Sequence, residues 1–395
     1  MLVNSNHQLP EPDEQARAQS RELEQRIRDE ITAGNGSIGF ARFMEMALYA
    51  PGLGYYSSAT EKFGAQGDFV TAPEISSLFA ACLARQLAEV LGHVTDGTVL
   101  EVGGGSGVLA VQLLEQLEQL DALPEEYLLL EVSAHLRERQ RQKIEARVPH
   151  LLDRVRWLEA WPEGGFRGVV IANELLDAMP VQCFRIQDAE IFERRVLTEE
   201  SGFDWSVQKA DAEFSEQVMK LMKLMPELPP GTYDSEFNPW LSPWIAGLAD
   251  MMEQGVVLLV DYGYSRAEYY HPDRTQGTLI CHYRHRVHDA PFFLPGLQDI
   301  TASVDFTAVA EAAVEHDLQV AGYTHQAAFL FGNDLQGIYD SLDHEDVKQR
   351  AQLAQEIRQL TMPGEMGERF KVIALARDYD KPLRGFAWQD LRAQL

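Results

Sequence analysis

Hydrophobic and polar positions follow two periods along this chain, and the switch between them outlines most of its elements. From residue 98 onward, short apolar runs bounded by turn residues are followed by stretches in which apolar positions recur every three or four residues. The runs TVLEV, YLLLEV, VRWL, GVVIAN, GVVLLVDYG, LQVAGYT and FKVIALAR read as strands. Strands alternating with amphipathic helices predict an α/β fold, a mostly parallel, doubly wound, Rossmann-like sheet with helices on both faces. About eighty residues separate the fourth run from the fifth. A single crossover does not need that length, so residues 182–254 are expected to form an insertion with a β-hairpin and two helices.

Ahead of the first strand the pattern is helical. EQARAQSRELEQRIRDEI spaces Glu and Arg as helix neighbours and reads as an exposed helix. GFARFMEMALYA is expected to be a second helix, capped by Ser37 and stopped by Pro51 and Gly52. The loop PGLGYYSSATEKFGAQGDFVTAP then leads into the helix EISSLFAACLARQLAEVLG, with Gly92 as its stop. The expected boundaries are residues 1–92 for N-terminal helices and a cleft loop and 93–395 for the sheet core, which contains the insertion.

Charge and composition narrow the function. The 34 Lys and Arg against 61 Asp and Glu leave a formal charge of −27, a field that repels phosphate backbones and anionic membranes and draws in cationic partners. A nucleic-acid substrate is therefore disfavoured, although solubility alone would account equally well for the acidity. No apolar run approaches the ~18 residues of a membrane span and no signal-like leader is visible, so a soluble, cytoplasmic protein without membrane insertion is expected. Cys82, Cys183 and Cys281 are too widely spaced for a disulfide framework or a CxxC metal pair. The cluster CHYRHRVH matches no zinc spacing and carries two arginines among its would-be ligands, so no metal is expected.

Three segments carry candidate chemistry. In VLEVGGGSGVLAVQLLEQL a strand runs through glycines into a helix, an arrangement in which the backbone turns sharply and presents free helix amides to a ligand. Gly103, Gly105 and Gly107 satisfy GxGxG, whereas Val108 breaks both the dinucleotide fingerprint GxGxxG and the hydrolase elbow GxSxG, leaving Ser106 as a helix-start residue. Glu131 ends the next strand, where a carboxylate can accept both hydroxyls of a ribose. In VVIANELLDAMPV a strand delivers Asn173, Glu174 and Asp177 to the carboxyl end of the sheet, where they can hold a cationic or amine acceptor or simply favour the start of the next helix. The loop GAQGDFVTAPEIS brings Asp68, Thr71, Pro73 and Glu74, more than a helix cap requires, as candidates for closing over the ligand. Asp261, at the end of an apolar strand, is a further candidate.

In this order the segments PGLGYYS, GAQGDFVTAPEIS, LEVGGGSG, ANELLDAMPV, DYGY, GTLICHYRHRVH, PGLQDITASVDF and MGERFKV resemble the MidA family of class I methyltransferases over nearly the whole chain. A mitochondrial assembly factor that methylates an arginine of a respiratory complex I subunit belongs to that family. The resemblance implies a seven-stranded sheet, S-adenosylmethionine as methyl donor and an arginine of a protein partner as acceptor. It places the donor against Gly103, Gly105 and Glu131, with GDFVTAPE and NELLDA lining the cleft. The family's glycine-proline-glycine turn has Gly104 at its centre here, which loosens the turn and keeps its amides. Glu174 and Asp177 are the expected grip on a guanidinium, orienting one nitrogen and offsetting developing charge. A small-molecule O- or N-methyltransferase and a non-catalytic assembly factor that binds S-adenosylmethionine remain as alternative readings.

Overall fold

The computed structural model describes residues 9–58, 71–223, 231–342 and 346–395. The chain divides into two compact units, one of Met1–Phe69, Leu176–Leu241 and Tyr264–Asp305, the other of Val70–Leu175, Ser242–Gly263 and Phe306–Leu395.

In the second unit the seven apolar runs become seven paired strands: β1 (Thr98–Val102), β2 (Tyr127–Leu130), β3 (Val155–Leu158), β4 (Phe166–Asn173), β5 (Met252–Tyr264), β6 (Gln319–His325) and β7 (Phe370–Arg377). Their order is β6-β7-β5-β4-β1-β2-β3. The five from β3 to β5 are parallel, and β7 runs antiparallel to both of its neighbours. Helices such as Ser77–Leu91 and Val108–Gln119 bury their apolar residues against this sheet, which is why Val169 to Ala172 of β4 and Val256 to Val260 of β5 are all buried. From β1 the chain winds outward through β2 to β3, then returns to β4 on the other side of β1. The strand order thus reverses between β1 and β4, and in such sheets a crevice opens beyond the strands' carboxyl ends at that point.

At the opposite end of these strands the sheet depends on two glycines. Gly168 pairs with Thr98 on one side and Gly255 on the other. Both have left-handed backbones, at φ 136° and 138°. A Cβ on Gly168 would lie 1.9 Å from the Thr98 carbonyl oxygen, and one on Gly255 would lie 1.9 Å from that of Gly168. The three backbones come this close only because two residues lack side chains.

The first unit contains an antiparallel sheet in which Glu190–Glu199 pairs along one edge with Gln182–Gln187 and Ser37–Gly39 and along the other with Gly202–Lys209. Thr232–Phe237 extends it beyond Gln182–Gln187. The sequence suggests one hairpin between residues 182 and 254, whereas the structure holds a three-stranded meander and a fourth strand besides the helices Ala212–Met222 and Leu241–Met251. The fourth strand, TYDSEF, escapes a hydrophobic reading because its buried residues are partly carboxylates: Arg185 holds Asp234 through two hydrogen bonds of 2.6 and 2.7 Å. Ser37 is likewise not a helix cap. It lies in a strand, its hydroxyl accepts hydrogen bonds from Arg195 and Gln208, and the helix Phe40–Tyr49 starts at Gly39 without a side-chain cap. The helix Glu14–Ala33, capped by Asp13, is not fully exposed, since it buries Leu23, Ile27 and Ile31 in this unit's core.

Candidate functional site

Within the second unit, β1 leads into the glycine turn. Gly103, Gly105 and Gly107 adopt φ of 72°, 49° and 77°, the left-handed region that glycine enters without steric cost. The turn is pinned by hydrogen bonds from Gly103 N–H to the Leu130 carbonyl (3.0 Å) and from Gly107 N–H to the Gly104 carbonyl (2.8 Å). Helix Val108–Gln119 starts from Gly107, and Val111 N–H is bonded back to the Gly107 carbonyl at 3.3 Å. The amides before Val111 precede that intrahelical bond and suit an electron-rich ligand. Packing adds a second demand for glycine: a Cβ on Gly103 would meet the Leu175 side chain at 2.8 Å, and one on Gly107 would meet Gln140 Cα at 3.0 Å.

One strand away, Glu131 is buried at the end of β2. Its Oε1 accepts the Ser133 N–H at 2.9 Å and its Oε2 the Gln140 Nε2–H at 3.3 Å. Burial raises its pKa, while the bonds from Ser133 and Gln140 and the charge of Arg137 oppose the rise. Glu101, on β1, is buried and accepts the Tyr127 hydroxyl. Desolvation lifts its carboxyl to about 7 against the opposing Tyr127 bond, with the neighbouring Glu131 adding to the rise.

The segment preceding helix Ser77–Leu91 docks on this turn. Thr71 occupies the N-cap position of the short helix Ala72–Ile75 without a side-chain cap. The Pro73 carbonyl accepts Gln112 Nε2–H at 3.1 Å, and Glu74 Oε1 accepts the Ser106 hydroxyl at 2.9 Å. Asp68 lies outside the described residues.

At the end of β4, Asn173 Nδ2 donates to Glu174 Oε1 at 3.1 Å, while Asn173 Oδ1 is buried with no hydrogen-bond partner among the described residues. Glu174 N–H continues the ladder to the Val260 carbonyl (2.9 Å) with the backbone at φ 50°, a left-handed conformation that is strained for any side chain. Asp177 belongs to the other unit, where it is buried and its carbonyl accepts Ala302 N–H at 3.0 Å. Asp261 is buried in β5 and accepts Tyr262 N–H at 2.9 Å.

The second unit therefore brings together Thr71, Pro73, Glu74, the three glycines and Glu131, and sets Asn173 and Glu174 at the end of the strand next to β1. Sequence reasoning missed Gln140, which touches both the glycine turn and Glu131. A left-handed glycine turn at a helix start beside a buried strand-end carboxylate suits a ligand that carries a ribose.

Comparison with known proteins agrees with this geometry. Residues 82–324 match the model of a family described as "Putative S-adenosyl-L-methionine-dependent methyltransferase". A crystal structure of a protein from Burkholderia thailandensis bound to S-adenosyl-homocysteine superposes with a TM-score of 0.93, at 41% identity over 98% of this chain and 100% of that one. The mitochondrial "Protein arginine methyltransferase NDUFAF7 homolog" of Drosophila melanogaster is 29% identical over 96% of this chain and 91% of its own length. Its human counterpart is 27% identical over 86% and 80%. These relatives overturn the expectation of a cytoplasmic protein, since both carry a mitochondrial designation. Charge and hydropathy could not have decided this, because an organelle address is read from a short segment by a receptor and leaves no mark on a folded core. Among the described residues no helix is long and apolar enough to cross a membrane. The seven-strand order, the glycine turn with its strand-end acid and these matches identify the chain as a member of the MidA-like class I S-adenosylmethionine-dependent methyltransferases, enzymes for which S-adenosylmethionine is the methyl donor.

Proposed function

We propose that this enzyme methylates an arginine side chain of a partner protein, a respiratory complex I subunit being the acceptor to which the family resemblance points. Gly103, Gly105, Gly107 and Glu131 hold the donor, with Thr71, Pro73 and Glu74 closing over it. Asn173 and Glu174 receive the guanidinium. The donor supplies a methyl group on a cationic sulfur. As the bond from a guanidinium nitrogen to the methyl carbon forms, the sulfur–methyl bond breaks, the sulfur becomes neutral and a proton leaves the nitrogen. A guanidinium is a weak nucleophile because its lone pairs are delocalised, so the enzyme's task is to orient one nitrogen and to offset its charge with a fixed carboxylate.

The observation that carries this reading is the backbone of Glu174. A non-glycine residue at φ 50° costs about 1–2 kcal/mol, and such strain is concentrated where function demands a particular direction for a side chain. Here it sets a carboxylate, bonded to Asn173, at the carboxyl end of β4. The relatives named as protein arginine methyltransferases support the choice of acceptor.

The test incubates the purified protein and its Glu174→Gln variant with methyl-labelled S-adenosylmethionine and lysate from cells that lack it. The wild type should label a protein band on arginine, and the variant should label it about 100-fold more slowly, as expected for loss of one preorganised electrostatic contact, while binding the donor with unchanged affinity. Equal labelling by the variant would remove Glu174 from the chemistry. Label found only in small molecules would replace the protein acceptor with a metabolite.

A further inference from the structure

Gln140 is fully buried on helix Ala134–Arg147, a helix in which polar residues predominate. Burying a side-chain amide is costly unless its hydrogen bonds are replaced, and here they are. Its Nε2 donates to the Gly105 carbonyl at 3.0 Å and to Glu131 Oε2 at 3.3 Å, and its Oε1 accepts the Trp157 indole N–H at 2.9 Å. The glycine turn is moulded around the same side chain: a Cβ on Gly104 would lie 3.3 Å from Gln140 Nε2, and one on Gly107 would lie 3.1 Å from its Cγ.

We infer that Gln140 is a positioning residue for the methyl donor, tying the Gly105 carbonyl to the Glu131 carboxylate so that the glycine turn and the ribose-binding acid keep one fixed separation. The direction of the amide is set by Trp157. An indole N–H can only donate, so the amide oxygen must face it and the NH₂ must face the two acceptors, the carbonyl and the carboxylate. The hydrogen bond to Glu131 restrains the carboxyl oxygen that does not accept from Ser133. The inference rests on the reading that Gly105 and Glu131 hold the donor.

Three variants test it against Glu131→Gln. Gln140→Met keeps the length of the side chain without its amide. Gln140→Glu keeps an acceptor for Trp157 but turns an oxygen toward two other oxygens. Trp157→Phe leaves Gln140 in place and frees its orientation. Calorimetry with S-adenosylmethionine should show affinity about tenfold weaker for Gln140→Met, weaker still for Gln140→Glu, and about threefold weaker for Trp157→Phe, the scale of one lost hydrogen bond to a charged group. In the lysate-labelling reaction the donor concentration for half-maximal rate should rise in parallel, with the maximal rate within about twofold of wild type. A role confined to packing would instead lower the melting temperature and the active fraction while the folded protein bound the donor normally, and that result would overturn the inference. Should the Gln140 variants fail to fold, Trp157→Phe decides, and wild-type affinity there would count against the role. If Glu131→Gln weakens binding and Gln140→Met does not, only the role of Gln140 falls. If Glu131→Gln binds normally, the donor-site reading itself is wrong.

Discussion

Glu174 occupies a backbone conformation that glycine would hold without strain. Replacing its side chain in two ways separates strain from contact. Glu174→Ala and Glu174→Gly both delete the carboxylate and its bond to Asn173, but only glycine releases the cost of φ 50°. The glycine variant should therefore be the more stable by about 1 kcal/mol, measured by urea unfolding, since relief of about 1–2 kcal/mol outweighs the extra unfolded-state entropy of glycine. Both should lose methyl transfer. An alanine variant as stable as the glycine variant would mean that the backbone here is relaxed and that strain says nothing about function. The sequence shows Glu174 as a candidate because a carboxylate follows an apolar strand, but it does not show the strain, which arises when the Glu174 amide must still reach Val260 as the chain leaves the ladder. Gln140 is hard to see for a different reason. In AHLRERQRQKIEAR only its spacing of four residues from both Leu136 and Ile144 marks it as facing inward, and the partner of its amide is a turn 35 residues earlier in the chain.

At the scale of elements, legibility follows the source of each element's stability. The central strands β4, β5 and β7 are largely apolar because both faces of their sheet are covered, so composition alone exposes them, whereas the edge strands β3 and β6 are only partly buried. Ser37–Gly39 is three residues long and exists only through its pairing with Arg195–Leu197, and no local signal encodes that. Thr232–Phe237 hides behind its carboxylates, Asp234 paired with Arg185 and Arg194 of the same sheet and Glu236 accepting hydrogen bonds from Tyr269 and Thr278. Glycines within strands also read ambiguously. Gly168 and Gly255 look like strand starts, yet they allow β1, β4 and β5 to pass one another closely. Gly168→Ala should cost roughly 3 kcal/mol or more, combining a left-handed alanine with a Cβ placed against a carbonyl oxygen that cannot move without breaking the ladder. A thermal melt of the variant checks this. A loss under about 1 kcal/mol would show that the strand ends part easily and that the glycine pair is incidental.

For the whole molecule, a net charge of −27 serves either solubility alone or recognition, and the two make different predictions. If the methyl acceptor bears an arginine, as proposed, it approaches through the enzyme's long-range field, whose reach is about 10 Å at 0.1 M salt and shrinks as salt is added. If the field steers the acceptor, its KM should rise roughly three- to tenfold between about 0.05 and 0.5 M salt, because screening slows encounter and weakens peripheral ion pairs. The maximal rate should stay constant over that range if, as proposed, a half-buried carboxylate orients the guanidinium at short range, where screening is weak. Steady-state labelling of the acceptor at several salt concentrations, with saturating donor, separates the two effects. A KM that stays flat while the protein becomes less soluble would assign the acidity to solubility. It would also leave recognition of the proposed acceptor to close-range contacts alone, such as one with the Glu174 carboxylate at the carboxyl end of β4.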